Sequence, residues 1–130
     1  MSSLARIATA LALLALFAGV SASASGREVS SPSARASSTR CNISGDERKL
    51  GPTYVTSLRV KGVSCRTGRR VVRAYYRCRI RNGGRRGRCT SPVLRFRCTE
   101  RRESISTEFD ARVRCSRGAS RVWHNYTQFT

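Results

Sequence analysis

His124 is the only histidine among 130 residues, and three glutamates lie within 25 positions of it, so acid–base chemistry is the first possibility to weigh. Glu103 or Glu108 could take a proton from a 2′-hydroxyl, and His124 could return one to the leaving oxygen. Arg112 or Arg121 would hold the phosphate between them. That set would cleave a phosphodiester. A serine triad is poorer: His124 would be its base, and no motif marks the nucleophile. Lying between Val122 and Tyr126 in an alternating stretch, His124 also reads as a half-buried packing residue. Catalysis is therefore the alternative, and a non-enzymatic role leads.

Binding chemistry is far better supplied. The chain has 24 arginines and two lysines, with a formal net charge of +19. From Cys41 onward 22 basic residues face six acids, and between Arg66 and Arg102 there are 14 arginines with one acid, Glu100. Guanidinium forks match phosphate, sulfate and carboxylate oxygens, and a net positive field draws polyanions over long range. GC-rich codon usage would favour arginine over lysine; it would not favour base over acid. The expected partner is an anionic polymer or surface: an envelope phosphopolymer, anionic lipid or extracellular nucleic acid. Dedicated nucleic-acid recognition is disfavoured, because no such motif occurs and aromatics are few. Tyr54, Phe96, Phe109 and one of Tyr75 and Tyr76 sit at core parity, leaving Tyr76 and Trp123 for the surface. A third possibility is a secreted inhibitor or protein-interaction module that presents the loop Arg81 to Arg88.

All six cysteines (Cys41, Cys65, Cys78, Cys89, Cys98, Cys115) fall in the last 90 residues. With no Cys-x-x-Cys and a single histidine, they read as three disulfides, and neither a metal nor a cofactor is expected. Cys78 would end a helix and Cys89 follows a short basic loop, so Cys78–Cys89 is the favoured bridge. If the next hairpin turns near Glu103, Cys98 faces Phe109 and lies out of register with Cys115. The spacing then sends those two to Cys41 and Cys65.

The elements that must position these groups occupy residues 41–130. Residues 1–24 have a cationic start, an apolar run from Ile7 to Val20 and Ala22-Ser23-Ala24, which is an export signal too short to span a membrane. Residues 25–40, rich in Ser, Ala and Arg, read as a disordered linker. Export of an unfolded chain places the protein outside the cell or on its wall; a monomer is expected. Tyr54, Leu58 and Val60 share one side of a strand between Thr53 and Val63. From Cys65 to Ile80 the period becomes helical: Val71, Ala74, Tyr75 and Cys78 share a side. Arg66, Arg69, Arg70, Arg73, Arg77 and Arg81 fill the opposite arc, continued by Arg85, Arg86 and Arg88; these nine are the expected anion-binding residues. Leu94, Phe96 and Cys98 alternate with Val93, Arg95 and Arg97, and Phe109 to Cys115 alternate likewise. A turn at Arg117 to Ser120 leads to a last strand through Val122, His124 and Tyr126. The order β-α-β-β-β predicts one small disulfide-stapled α+β domain, an amphipathic helix on a mostly antiparallel sheet.

The runs Val60-Lys61-Gly62-Val63-Ser64-Cys65, Arg69-Arg70-Val71-Val72-Arg73-Ala74, Arg95-Phe96-Arg97-Cys98 and Arg114-Cys115-Ser116-Arg117-Gly118 resemble small exported proteins of high-GC actinobacteria. The likeness covers about residues 54 to 126. It implies export and a cysteine-stapled α+β fold, carries over no functional residue, and makes Cys78 and Cys89 additions to a commoner four-cysteine pattern. Trp123-His124-Asn125-Tyr126-Thr127 is similar to the histidine strand of small secreted microbial guanyl-specific ribonucleases, which implies the cleavage chemistry above.

Overall fold

The structure is a computed structural model and describes residues 37–130; the expected export signal and residues 25–36 of the linker lie outside the described residues. The chain runs through β1 (Thr39–Arg40), β2 (Tyr54–Lys61), α1 (Cys65–Arg81), a 3₁₀ turn (Gly84–Arg86), β3 (Arg97–Ser104), β4 (Glu108–Arg117) and β5 (Ser120–Phe129). The strands form one sheet in the order β1-β2-β5-β4-β3, antiparallel throughout. The architecture is the expected small α+β domain, one helix against an antiparallel sheet. Two residues of the expected linker form a strand: Thr39 and Arg40 pair with Val60 and Arg59 and extend the sheet by a short edge.

Helix α1 starts where Ser64 caps it, its Oγ accepting from the Thr67 backbone N–H at 3.2 Å. One side buries Gly68, Val71, Val72, Tyr75, Cys78 and Arg79 against the sheet. Gly68 permits the close approach to β2, since a Cβ there would stand 2.7 Å from a Val60 methyl. Facing it, Val55, Leu58, Val60, Phe109, Ala111, Val113, Val122 and Tyr126 point inward and form the core. No described element packs on the sheet's other side.

Three details differ from the period-two expectation, each for a local reason. A bulge between Val55 and Ser57 inserts one extra residue in β2, so Val55 joins Leu58 in the core and Tyr54 turns out to half-exposure. Leu94 and Arg95 do not begin β3. Both adopt positive φ (49° and 66°) in a tight turn closed by paired hydrogen bonds between Val93 and Phe96. Val93 is consequently buried and Leu94 exposed, the reverse of the expected alternation. The third concerns the β3–β4 hairpin, which turns at Ile105 to Glu108 rather than near Glu103. That shift puts Cys98 directly opposite Cys115, with Cα atoms 4.0 Å apart, and they bond to each other. Cys41 therefore bonds Cys65, correcting the expectation that Cys98 and Cys115 reach those two. The third bridge is Cys78–Cys89, closing the basic loop onto the end of α1.

Candidate anion-binding surface

The acid–base set weighed for phosphodiester cleavage is divided by the sheet. His124 pairs with Leu58 and Val113 on the covered side, is 1 % exposed, and packs between the rings of Tyr75 and Tyr126. Neither ring nitrogen meets a hydrogen-bond partner among the described residues. Burial, reinforced by the nearby Arg79 charge, pushes its pKa down to about 3, so the imidazole is neutral at physiological pH. Glu103 lies on the opposite, exposed side, where its carboxylate pairs with Arg112 at 3.3 Å. Glu108, at the start of β4, is half-buried at that side's margin, and Arg121 donates to the Gly118 and Ser120 carbonyls of its own turn. His124 consequently shares no space with Glu103, Arg112 or Arg121, and the five-residue likeness to the ribonuclease strand does not extend to an assembled acid–base pair.

The covered side instead holds a buried ionic cluster. Arg79 stands seven residues after Val72 and four after Tyr75, on the apolar stripe of α1, and its side chain is fully buried. Its Nε lies 3.8 Å from Glu100 Oε2 and donates to the Gly87 carbonyl at 3.2 Å; another nitrogen donates to the Arg85 carbonyl at 2.6 Å. Glu100 also accepts from Tyr75 Oη (2.6 Å), Tyr126 Oη (3.0 Å) and Arg102 Nε. The remaining Arg102 donors go to the Arg86 and Gly87 carbonyls, and its guanidinium covers the Phe109 ring at 4.2 Å. Arg79 likewise lies over Tyr126 at 4.6 Å. Burial pulls the Arg79 pKa down from its ordinary value, opposed by the Tyr126 hydroxyl and Glu100 carboxylate; burial and Glu100 push those of Tyr75 and Tyr126 up, so both phenols stay protonated donors. One carboxylate thus serves two guanidiniums, loop carbonyls and ring faces supply their other contacts, and Arg79 Nη1 meets no hydrogen-bond partner among the described residues. Gly87 allows this closure, because a Cβ there would run into the Arg79 carbonyl oxygen.

The nine arginines expected to bind anions lie on the convex outside of α1 and its loop. Arg66, Arg70, Arg77 and Arg81 are exposed, with Arg73 half-exposed. Arg69 is committed to the Asn42 carbonyl and to Asp46, 3.6 Å away. Arg86 is committed to Ser106 and Thr130 at about 3 Å. Arg85 and Arg88 are exposed, but the loop's backbone oxygens at positions 85 to 87 are taken by Arg79 and Arg102, which folds the loop down. It is not a projecting finger.

The open side of the sheet carries a second basic surface that the period-two pattern implied without drawing attention to it. Register sorts its residues into rungs. Lys61, Arg121, Ser116 and Arg97 form one rung; Arg59, Trp123, Arg114 and Thr99 the next, with Arg40 beside Arg59; then come Ser57, Asn125, Arg112 and Arg101. Tyr54, Thr127, Asp110 and Glu103 form the next rung, and Phe129 with Glu108 ends the face. Eight cations from five strands therefore face three carboxylates, all at one end. Strands lie about 4.8 Å apart and alternate residues along a strand about 6.7 Å, so these charges form a dense lattice. Between them runs a groove of about 730 Å³, lined by Arg40, Arg59, Thr99, Arg101, Arg112, Arg114, Trp123 and Asn125. Trp123 sits half-exposed in its floor, with the Arg59 guanidinium stacked on the ring at 5.1 Å. Arg40, Lys61, Arg97, Arg101 and Arg114 direct no side-chain hydrogen bond to any described residue. This face escaped the sequence reading because its cations are scattered from position 40 to 121 and only strand order gathers them.

Among the described residues no cluster of His, Cys, Asp or Glu could hold a metal ion, and no helix is long and apolar enough to cross a membrane. No protein-family model, curated protein or solved structure matches the chain.

Proposed function

We propose that this protein is an exported, non-catalytic module that holds an anionic polymer along the open face of its sheet. The observation that carries the proposal is the groove on that face, where Arg40, Arg59, Arg101, Arg112 and Arg114 converge from four strands and Arg40, Arg101 and Arg114 keep their donors uncommitted. A guanidinium already bonded within the protein must give up that bond to bind an anion, whereas Arg101 and Arg114 need shed only water. Concavity adds to this, because low-dielectric walls lined by one sign of charge focus the field into the groove. Three disulfides and a buried ionic cluster hold the compact state against its own charge, and disulfides of this kind persist in oxidising, extracellular surroundings. Division of His124 from Glu103 by the sheet supports a binding role over cleavage.

The test compares two triple variants titrated with heparin-like polymer, polyphosphate, a single-stranded oligonucleotide and anionic vesicles. Arg101→Glu/Arg112→Glu/Arg114→Glu on the sheet face is expected to lose affinity for the preferred polymer at least a hundredfold. Arg66→Glu/Arg70→Glu/Arg77→Glu on the helix should lose less than tenfold, through reduced net charge alone. Four to six guanidinium–phosphate contacts give a log–log salt slope of about −3 to −4. Equal losses in both variants, or a greater loss from the helix variant, would overturn the assignment to the sheet.

A further inference from the structure

The Trp123 indole sits in the floor of the groove among its cations and has no use in gripping charge alone. Resting on the anion-binding role of the open face, we infer that its occupant is a single-stranded nucleic acid, with one base stacked at Trp123. Strand β5 places the indole mid-groove, between Arg59 on one neighbouring strand and Arg114 on the other. The Arg59 guanidinium already lies over the ring, so a face of the indole is open to a planar group. Two residues along the same strand, Asn125 is exposed on the same side, offering an amide that donates and accepts toward a base edge. Arg101 and Arg112, which share the Asn125 rung, and Arg114 beside the indole stand where flanking phosphates would run. Basic groove, stacking platform and amide are the parts from which single-strand binding is made.

Duplexes fit less well. Their bases are stacked on one another and present only edges, and a sheet five strands wide is broader than the two-stranded ribbon that a major groove admits. Polyphosphate has no planar face to offer the indole. Binding would be tolerant of sequence, since every base has a π face and the groove holds a single aromatic with a single amide. It involves no covalent step.

Trp123 is the only tryptophan in the chain, so its fluorescence reports on this site alone. The probes are a twelve-residue oligothymidylate and an abasic deoxyribose-phosphate oligomer of the same length and charge. Oligothymidylate is expected to quench the emission saturably and to bind about tenfold or more tighter than the abasic oligomer at the same salt. In Trp123→Ala, followed by anisotropy of labelled probes, that ratio should collapse to about one, while Trp123→Phe keeps part of it. Equal binding of both oligomers without quenching would overturn the stacked base and leave the anion-binding role standing. Failure of either oligomer to bind, with polyphosphate bound, would overturn it equally. A heparin-like chain that quenches the indole and outcompetes the oligonucleotide would reassign the groove to a polysaccharide, and no binding to any polyanion would sink both.

Discussion

Arg101 and Arg102 are neighbours in β3 and end on opposite faces of the sheet. Arg102 gives Nε to Glu100, two more donors to the Arg86 and Gly87 carbonyls, and its flat surface to Phe109. Arg101 hydrogen-bonds no described residue and lines the open groove. The same chemistry is structural on one side and available on the other. What separates them is the company each face offers: a carboxylate, backbone carbonyls and rings within reach, or water and more guanidiniums. Net charge alone therefore says little about function in this protein; the useful quantity is how many cations have their donors committed inside the fold.

Breaking the covered side should produce the largest effect. Glu100→Gln keeps the shape but removes the one negative charge between Arg79 and Arg102, leaving two buried guanidiniums to repel each other. A loss of about 3–5 kcal/mol is expected in equilibrium denaturation, the usual cost of stripping one partner from a buried ionic group. Neutralising Arg112 and Arg114 together on the open side should change stability by less than about 0.5 kcal/mol per site. Comparable losses from the two changes would dissolve the contrast between the faces.

Much of the covered side was legible from residue order. The period switch from two to 3.6 located α1 and β4, and a cysteine on either side of a Gly-rich basic loop pointed to Cys78–Cys89. Arg79 is the main omission: a stripe drawn through the apolar residues Val71, Ala74, Tyr75 and Cys78 passes over a charged one, although its spacing from Val72 and Tyr75 places it on the same side. Glu100, the lone acid in the long basic stretch, was the available signal for its partner. The Cys98–Cys115 register was not legible, because Ile105-Ser106-Thr107 contains no Gly, Pro or Asn to mark a turn, and moving a hairpin by a few residues changes every cross-strand pair. Local alternation told which residues of β3, β4 and β5 face outward. It could not tell that Arg40, Arg59 and Arg101 would meet across one groove, since that depends on β5 lying between β2 and β4.

His124 sharpens the comparison through pH. Its imidazole is neutral in the fold, with a pKa pushed down to about 3, against roughly 6.5 in an unfolded chain. Between those values the unfolded state holds a proton that the folded state does not, so this group makes the fold less stable as pH falls from 6.5 toward 3. Above 6.5 its contribution is constant. The slope is at most about 1.4 kcal/mol per pH unit, hence up to about 2 kcal/mol between pH 6.5 and 5. His124→Phe keeps an aromatic ring between Tyr75 and Tyr126 and removes the titration. Its unfolding free energy should be flatter than wild type over that interval, and parallel curves for the two proteins would contradict a buried neutral imidazole. No open-side substitution should alter that slope.

The smallest expected effect tests whether charge on the open side matters for binding while hardly touching the fold. Glu103 and Arg112 are 3.3 Å apart, but their side chains are 78 % and 73 % exposed, so water and salt screen the pair and its net contribution lies within about 0–1 kcal/mol. Glu103→Gln should leave the denaturation midpoint nearly unchanged. It also takes one of three carboxylates off a face with eight cations and releases the Arg112 guanidinium toward the groove. Affinity for a polyanion should rise about two- to threefold, and the gain should shrink as salt approaches molar, where the Debye length is only about 3 Å. A stability loss as large as that of Glu100→Gln would mean that the exposed pair is structural after all. An affinity that does not move would mean that the polymer passes Arg112 by, and the groove's working cations would then be those around Trp123.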